Sequence, residues 1–506
     1  MKRAAFVLGA ALLALGAGVA AVLWQLQPPA FAAPAARDWV FRDVILAEAG
    51  YGLRPASALR VVDGRIAEVV TSSGEVSRGA IRMDGEAPDL AGLYVAPGLT
   101  DLHVHYPPQV AVGNAQLWSL LLLAHGVTSI RETGSIDGSI FGVREAVEKG
   151  RYPGPRIFAC GAMLDGEEPS FPSNRVVTTP GQAREAVRSL AARGADCIKA
   201  YNMLSPDALA AIREAASAAG LPVIGHAPHS VAFEEAGLVD LQHGTGAVLV
   251  DPERVGRLDF RYADWETMDD ERIAHVAEVS LAQGIAHTPT LVNARMRRLL
   301  VADERFSAEL ARDSGLRHLP RFWVAAWRTI WSAPFSRDDA ESVGAEELFR
   351  RRQARMTLRL YEAGVRIHAG TDTLMPFVAP GSSLHGELAD LQAAGIPAQD
   401  VWEIATRGAG RGLGVRGLGT LDVGAPGDLI FLREDPSRGL ASLRSIEAVL
   451  AAGRLYRRSD LDAMLAAADA HFHGAFYTVV MDALASVARA RFSPDRPSGS
   501  KEGSSS

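Results

Sequence analysis

The sequence predicts an α/β protein built on a (β/α)8 barrel, called a TIM barrel, with a small composite β-sandwich domain formed by the segments on either side of it. Apolar, strand-like runs alternate with Ala-rich amphipathic stretches between residues 97 and 414. Eight such runs can be distinguished, and β-rich segments of similar character precede and follow the region. This alternation is typical of parallel βα units, and eight units favour a closed barrel.

The eight apolar runs are predicted to be the barrel strands. They end at or near His105, Glu132, Cys160, Lys199, His226, His243, Thr290 and Asp372. The stretch 208–219, which ends before Gly220, is predicted to be one of the intervening helices.

Residues 38–96 and 415–458 are predicted to form the β-sandwich. Asp63-Gly64 between two apolar runs is a hairpin turn signal. The two segments have the same short-strand pattern, so we expect them to close into one small domain. A C-terminal helix is expected over 459–491, followed by a disordered tail at 492–506.

Residues 1–37 are predicted to be an export signal or a membrane anchor. Lys2 and Arg3 precede the uncharged run 4–24, and Ala30-Phe31-Ala32 is a plausible cleavage site. The run is also long enough to span a bilayer. We favour cleavage after Ala32, and in either case an exported protein, periplasmic or extracellular, or held at the inner membrane by its N-terminal helix.

Composition restricts the function further. The chain has 506 residues, 48% of them hydrophobic, and a net charge of −7 with mixed signs. The sequence has no stripe of basic residues, so it gives no indication of a nucleic-acid partner. The only cysteines, Cys160 and Cys197, each lie in an apolar run, and we interpret them as two buried thiols. Whether the chain is a homo-oligomer is left open.

The long insertion 251–345 carries Trp323, Trp327 and Trp331 at helical spacing. We interpret this stripe as packing in the core, with a substrate wall or a membrane contact as the alternatives.

Metal-binding side chains stand where the predicted strands end. His103 and His105 are two residues apart, so on a strand both imidazoles point to the same face. In a barrel of this kind the carboxyl ends of all strands form one rim, where catalytic groups converge. The candidate ligands on that rim are His103, His105, Lys199, His226, His243 and Asp372.

Lys199 is the unusual member of this group. An ammonium inside an apolar barrel is costly, so burial should lower the pKa of this lysine. A neutral amine can add CO2 to give a carbamate, which is an anionic ligand able to bridge two metals.

The order of these motifs resembles the amidohydrolase superfamily of metal-dependent hydrolases. The matching segments are 97–105, 198–199, 225–227, 242–245 and 369–372. Within the superfamily the chain is most similar to the imidazolonepropionase-like and Xaa-Pro dipeptidase-like branch. The resemblance spans roughly residues 38 to 465.

The resemblance implies a site with two divalent ions, with Zn2+ expected. It places His103, His105 and Asp372 on one ion and His226 and His243 on the other. Carboxylated Lys199 would bridge the two ions together with a hydroxide, and Asp372 would also be the general acid–base.

Several residues are ambiguous. Gln242 stands where many relatives carry an acid, which leaves the surroundings of His243 open. Tyr201, His229, Arg131 and His385 are candidate substrate contacts because they lie just beyond strand ends or at the opening of a helix.

The leading prediction is an exported hydrolase of a small amide or peptide. Three alternatives stay open: an ester, lactone or phosphotriester hydrolase on the same two metals, a deaminase or imidazolone-type hydrolase with one metal, and a non-catalytic, membrane-tethered binding protein. The presence of all six ligands argues against the non-catalytic alternative, whereas the sequence separates the hydrolase classes poorly.

Overall fold

The protein contains a parallel barrel and a flanking antiparallel sheet. The computed structural model describes residues 16–29, 31–71, 85–135, 138–248, 264–297, 313–330 and 340–492. The strands are β1 (Trp39–Glu48), β2 (Gly52–Val62), β3 (Arg65–Thr71), β4 (Gly85–Glu86), β5 (Tyr94–Pro97), β6 (Leu99–Val104), β7 (Val127–Glu132), β8 (Arg156–Ala159), β9 (Leu164–Asp165), β10 (Arg175–Val176), β11 (Ile198–Ala200), β12 (Val223–Gly225), β13 (Asp240–Gln242), β14 (Ala286–Thr288), β15 (Leu429–Leu432), β16 (Ile446–Ala451) and β17 (Arg454–Arg457).

Helices fill the intervals between the strands. They are α1 (16–25), α2 (Asn114–Ala124), α3 (Ile140–Glu148), α4 (Pro180–Ala192), α5 (Pro206–Ala218), α6 (Asp270–Gln283), α7 (Leu291–Arg297), α8 (Arg321–Ile330), α9 (Ala340–Glu362), α10 (Ser382–Ala394), α11 (Ala398–Glu403), α12 (Ala409–Gly412), α13 (Arg458–Phe472) and α14 (Ala475–Phe492).

Parallel pairing builds the predicted barrel. The strands β6, β7 and β8 form one parallel sheet, and β11 to β14 pair in parallel in a second one. The eighth segment is irregular: it joins β14 through a bridge between His287 and Ile367, and β6 through a bridge between Val104 and Thr373. These bridges join the two sheets on one side, and on the other side the amide of Asp196, before β11, donates to the carbonyl of Ala159 in β8 at 2.8 Å. The predicted fold class is confirmed.

Helix α5 shows why the sequence folds this way locally. Ser205 caps it by accepting a hydrogen bond from the amide of Ala208 at 3.2 Å, and Pro206 occupies its first position. Leu209 and Ile212 form part of its buried face. The helix ends before Gly220, which has a φ of +69° that favours glycine.

The flanking segments combine into one eight-stranded sheet. Its order is β17-β16-β15-β5-β1-β2-β3, with β4 beside β1, so strands from both sides of the barrel pair with one another. Asp63 and Gly64, both with positive φ, form the tight turn between β2 and β3. The start of β3 also bonds to the segment before β15, through the amide of Ile66 and the carbonyl of Ala425 at 2.9 Å. The sheet encloses its own apolar core, which includes Phe41 and Phe431.

The interpretation of the cysteines as two thiols was wrong. Cys160 and Cys197 form a disulfide, with Cα atoms 4.5 Å apart. One residue follows β8 and the other precedes β11, and these strands are neighbours in the barrel although 37 residues separate the cysteines. Two apolar runs in a sequence do not show that their ends are adjacent, and only the closure of the barrel brings these sulfurs together.

The ends of the chain pack on the barrel. The predicted C-terminal helix is two helices, α13 and α14, because the chain turns at His473 and Gly474. Leu26, after α1, is buried, and its carbonyl lies 3.0 Å from Nε2 of His471. Among the described residues no helix is long and apolar enough to cross a bilayer. Several segments with sequence predictions lie outside the described residues. They are residues 1–15, much of the 251–345 insertion including Trp331, and the predicted tail from residue 493.

Candidate metal centre and active site

Three of the predicted ligands converge on one point. His103 and His105 come from the end of β6, and their Nε2 atoms are 3.3 Å apart. Oδ1 of Asp372 lies 3.2 Å from Nε2 of His103 and 3.1 Å from Nε2 of His105. Two imidazole nitrogens and a carboxylate oxygen at such distances are a donor set for a divalent cation.

The other two histidines face the same group. The ring centroid of His243 lies 4.6 Å from that of His103 and 5.2 Å from that of His226. Nε2 of His243 is 3.8 Å from Oδ2 of Asp372, so the two carboxylate oxygens face different histidines. His243 and His226 therefore lie beside the group formed by His103, His105 and Asp372.

Hydrogen bonds to Nδ1 orient three of these rings. Nδ1 of His105 lies 2.7 Å from the carbonyl of Gly134, and Nδ1 of His226 lies 2.7 Å from Oδ1 of Asn202. Both acceptors require Nδ1 to carry the hydrogen, which leaves the lone pair on Nε2. Nε2 is then the atom of each ring that is able to bind a metal.

Thr290 fixes His243 in the same way. Its hydroxyl donates to the carbonyl of Pro289 at 2.7 Å, so its oxygen accepts from Nδ1 of His243 at 2.6 Å. Burial lowers the pKa of His103 well below its usual value, which also keeps that ring neutral. Neutral imidazoles are the form that binds metal.

Lys199 lies in the same cavity and is buried. Its Nζ donates to Oε1 of Gln242, and the ammonium lies 5.6 Å from the ring centroid of Tyr201. Burial lowers the pKa of Lys199 to about 7, partly opposed by Asp372. The neutral amine is therefore accessible at neutral pH. Its neighbour Gln242 is uncharged, whereas a carboxylate at this position would stabilise the ammonium form of Lys199.

Asp372 is held rigidly. Nδ2 of Asn293 donates to its Oδ2 at 2.6 Å. Burial would raise the pKa of Asp372, but the neighbouring His103 and His243 hold it well below its usual range. Asp372, His243 and Thr290 all have positive φ, a strained conformation for these residues that is concentrated here at the site.

Buried carboxylates support the rim from below. Glu132 accepts from the amides of Gly134 at 2.7 Å and Gly161 at 3.0 Å, which fixes the loop whose carbonyl holds His105. Asp101 accepts from the hydroxyl of Thr371 at 2.6 Å and so ties β6 to the segment that carries Asp372.

The group of candidate metal ligands opens into a cavity of about 270 Å³. Tyr201 and His229, two of the predicted substrate contacts, line it. So do Trp323 and Trp327, which are buried as expected but also form a wall of the cavity. The interpretation of these tryptophans as core packing alone was therefore incomplete.

Arg131 and His385 are not among the described residues that line this cavity. Arg131 points into the barrel interior, where its Nη2 donates to Oδ2 of Asp240 at 2.5 Å. His385 is buried, and its Nε2 lies 2.9 Å from the carbonyl of His125. The structure therefore does not bring these two together with the other candidate contacts, because position near a strand end does not show which way a side chain points.

Sequence reasoning missed Asn202, Thr290 and Asn293. Asn202 and Thr290 each lie two residues after the end of a barrel strand, and Asn293 lies five residues beyond β14. Their only signal is a polar side chain close behind a strand end, which many loop residues share.

Comparisons with known proteins identify a family and solved structures that the chain resembles. The sequence profile described as "Amidohydrolase family" matches residues 94–456. None of the curated protein sequences compared with the chain matches it significantly.

Solved structures resemble most of the chain. A structure titled "AH, Bottromycin amidohydrolase" has 26% identity and a TM-score of 0.66, and the match covers 89% of this chain and 93% of that one. A putative prolidase from Bifidobacterium longum has 25% identity and a TM-score of 0.61, with 86% of this chain and 100% of that one covered. A Xaa-Pro dipeptidase with methionine bound in its active site, at 18% identity and a TM-score of 0.58, covers 83% of this chain and 100% of its own, and supports the fold alone.

Proposed function

We propose that this chain, which belongs to the amidohydrolase family, cleaves amide or peptide bonds with the help of two divalent metal ions. The proposal makes the chain's class more specific, since it is a hydrolase that acts on carbon–nitrogen bonds. The observation that carries the proposal is the convergence of Nε2 of His103, Nε2 of His105 and Oδ1 of Asp372 within 3.3 Å. The structures titled as an amidohydrolase and a prolidase support an amide or peptide substrate.

The residues present fit the metals. His103, His105 and Asp372 would hold one ion, and His226 and His243 the other. The Nδ1 partners of His105, His226 and His243 leave Nε2 as the donor atom, which is the chemistry that a metal site requires. Imidazole and carboxylate donors suit Zn2+.

Lys199 would bridge the ions as its carbamate. Its burial and its lowered pKa of about 7 support this, because only the neutral amine adds CO2. The carbamate would supply one negative charge shared by two oxygens, and Gln242 would remain as a neutral hydrogen-bond partner of this side chain.

When bound, the ions would lower the pKa of a water to about 7 and polarise the carbonyl of the substrate. Asp372 then takes the proton of the attacking water and delivers it to the leaving nitrogen. Asn293 holds the carboxylate in position for both transfers. The apolar walls exclude bulk water, which strengthens each of these interactions.

Metal analysis combined with a Lys199→Ala variant tests the proposal. We expect two metal ions per wild-type chain, loss of amide hydrolysis after removal of metal with a chelator, and recovery when Zn2+ is added back. Lys199→Ala should lose metal and activity together, with partial rescue by small carboxylic acids, while Lys149→Ala, at an exposed lysine, serves as the control. One metal per chain with an unmodified Lys199 would favour a deaminase-type hydrolase and contradict the proposal.

A panel of substrates separates amides from the other classes. Turnover of dipeptides or N-acyl amines well above that of lactones, aryl esters and phosphotriesters is the expected result. A clear preference for lactones or phosphotriesters would show that the same ligand set performs another hydrolysis.

We also propose that the protein is exported and keeps its N-terminal segment. The basic start and the apolar run support export, and the disulfide between Cys160 and Cys197 suits an oxidising compartment. Retention is supported by the burial of Leu26 and by the 3.0 Å distance between its carbonyl and Nε2 of His471. Intact-mass analysis of protein from the membrane and periplasmic fractions decides, and a mature chain that begins at Ala33 would contradict retention.

A further inference from the structure

Helix α8 presents two tryptophans to the cavity. Trp323 and Trp327 are one turn apart, and their ring centroids are separated by 5.9 Å. Nε1 of Trp327 donates to the carbonyl of Leu374 at 3.0 Å, two residues beyond Asp372. The indole surface therefore starts next to the proposed reacting groups, and we call these two residues the tryptophan wall.

Two further aromatic pairs line the same space. Trp265 and Phe349 meet edge to face with centroids 5.1 Å apart. Phe171 and Tyr201 lie 6.0 Å apart on the side of Lys199. Aromatic rings bound in such surroundings gain both from burial and from edge-to-face contact.

Charged side chains are scarce around this space. Within the described part of the chain, the residues that line the cavity include no arginine or glutamate, and no lysine or aspartate besides Lys199 and Asp372. Among the described residues of that lining, His229 is the one histidine besides the proposed metal ligands. Because a charge buried without a partner is costly, an uncharged group suits the space beside the tryptophan wall.

The wall is held from behind by the C-terminal helix. Nε1 of Trp323 donates to Oδ1 of Asn114 at 2.9 Å, and Nδ2 of Asn114 donates to the hydroxyl of Tyr477 at 2.6 Å. That hydroxyl donates to the carbonyl of Val112 at 3.0 Å. Tyr477 lies on α14, beyond residue 456 where the match to the family ends.

We propose that this cavity selects amides that carry a large, uncharged aromatic group, which binds against the tryptophan wall, and that α14 sets this selectivity through Tyr477 and Asn114. The inference rests on the proposed function, since it names the substrate class of the same site. Tyr477 is a positioning residue: it acts on the substrate through Asn114 and Trp323.

Matched amides test the substrate class. The first pair is N-acetylglycinamide and N-(2-naphthoyl)glycinamide, and a reversed pair places the methyl or naphthyl group on the amine side. In at least one orientation we expect kcat/KM to be more than about tenfold higher for the naphthyl member, since burying a ring of this size is worth well over 1.4 kcal/mol. A carboxylate added to the naphthyl ring should remove that advantage.

The outcomes separate this inference from the proposed function. Turnover with equal rates for methyl and naphthyl members, or a gain from the added carboxylate, overturns the inference and leaves the amide hydrolase in place. If no amide is hydrolysed, calorimetric titration with the same compounds decides: tighter binding of the naphthyl members supports the wall while the proposed function fails, and equal or absent binding overturns both.

Tyr477→Phe tests the role of α14. Loss of the two hydrogen bonds of the Tyr477 hydroxyl behind the wall should raise KM for the preferred naphthyl amide by about three- to tenfold, with kcat within about twofold of wild type. The rates on the acetyl amide should not change. The matched control is Tyr361→Phe, which removes a hydrogen bond to Asp400 away from the cavity.

A purely structural role for Tyr477 would give another pattern. If Tyr477→Phe and Tyr361→Phe lower the melting temperature alike and leave the naphthyl-to-acetyl preference unchanged, the positioning role is wrong. Trp327→Ala provides the reference for complete loss of the wall, and the naphthyl preference should disappear in it.

Discussion

Arg131→Met removes the cation of an ion pair that is buried inside the barrel. The guanidinium of Arg131 donates to Asp240 at 2.5 Å and to the carbonyl of Leu102 at 2.9 Å. The side chains of Arg131 and Asp240 are only 5% and 1% exposed. Methionine fills a similar volume, so the substitution removes the charge and the hydrogen bonds while leaving most of the packing.

The expected loss follows from what remains around Asp240. Burial alone would raise the pKa of this carboxyl, but Arg131 and His368 hold it far below the usual range. A depressed pKa stabilises the fold above the unfolded-state pKa of about 4, so the full contribution is present at pH 7 and fades in acid. Without Arg131 the carboxylate keeps bonds to Thr288 and His368 but loses its cation. Breaking a buried pair in this way costs about 3–5 kcal/mol.

Urea unfolding at pH 7 in the presence of a chelator measures this loss without a contribution from bound metal. The control is Arg184→Met, which breaks the exposed pair with Glu214, whose side chains are 43% and 67% exposed. That variant should lose less than about 1 kcal/mol. Equal losses for the two variants would refute the reasoning. A raised KM in a stable Arg131→Met enzyme would instead restore Arg131 as a substrate contact.

Three further predictions concern the site and its frame. Asn202→Leu removes the partner of Nδ1 of His226, so metal affinity measured by competition with a chelator should fall about 10- to 100-fold; unchanged affinity would show that Asn202 does not orient the ring. Asp372→Asn should abolish turnover while circular dichroism and melting remain near wild type, and residual activity above about 1% would argue against its proton-transfer role. Cys160→Ser opens a loop of 37 residues, and the chain-entropy model predicts that the free energy of unfolding falls by about 4 kcal/mol. Urea unfolding under oxidising conditions measures this loss. A free energy of unfolding equal to that of the wild type would contradict the disulfide.

The barrel could be predicted because its signal is local and repeated. Each predicted strand is an apolar run that ends at or near a residue with a polar or sulfur-containing side chain. The strand ends at His226 and Asp372 could therefore be predicted without knowing which strands pair with them. The candidate ligands followed from one rule: parallel strands present their carboxyl ends at the same rim. The hairpin at Asp63 and Gly64 was visible for the same reason, because two residues are enough to specify a tight turn.

Side-chain direction could not be read in this way. Arg131 and Tyr201 both lie near strand ends, yet one points into the barrel interior and the other lines the cavity. Residues that alternate along a strand point to opposite faces, and in a loop no period applies. The bonds of Asn202 and Thr290 to the histidines are also invisible in sequence, since each joins the segments that follow two different strands.

The sequence by itself determined the order of strands and helices and the set of groups able to bind metal, because both depend on residue types at short spacing. Only the tertiary structure decided that Cys160 and Cys197 are bonded, that Arg131 pairs with Asp240, and that Trp323 meets Tyr477 through Asn114. These contacts join segments from 37 to 363 residues apart. They arise when the barrel closes and the last helix packs against it, and no local pattern records which distant segments then become neighbours.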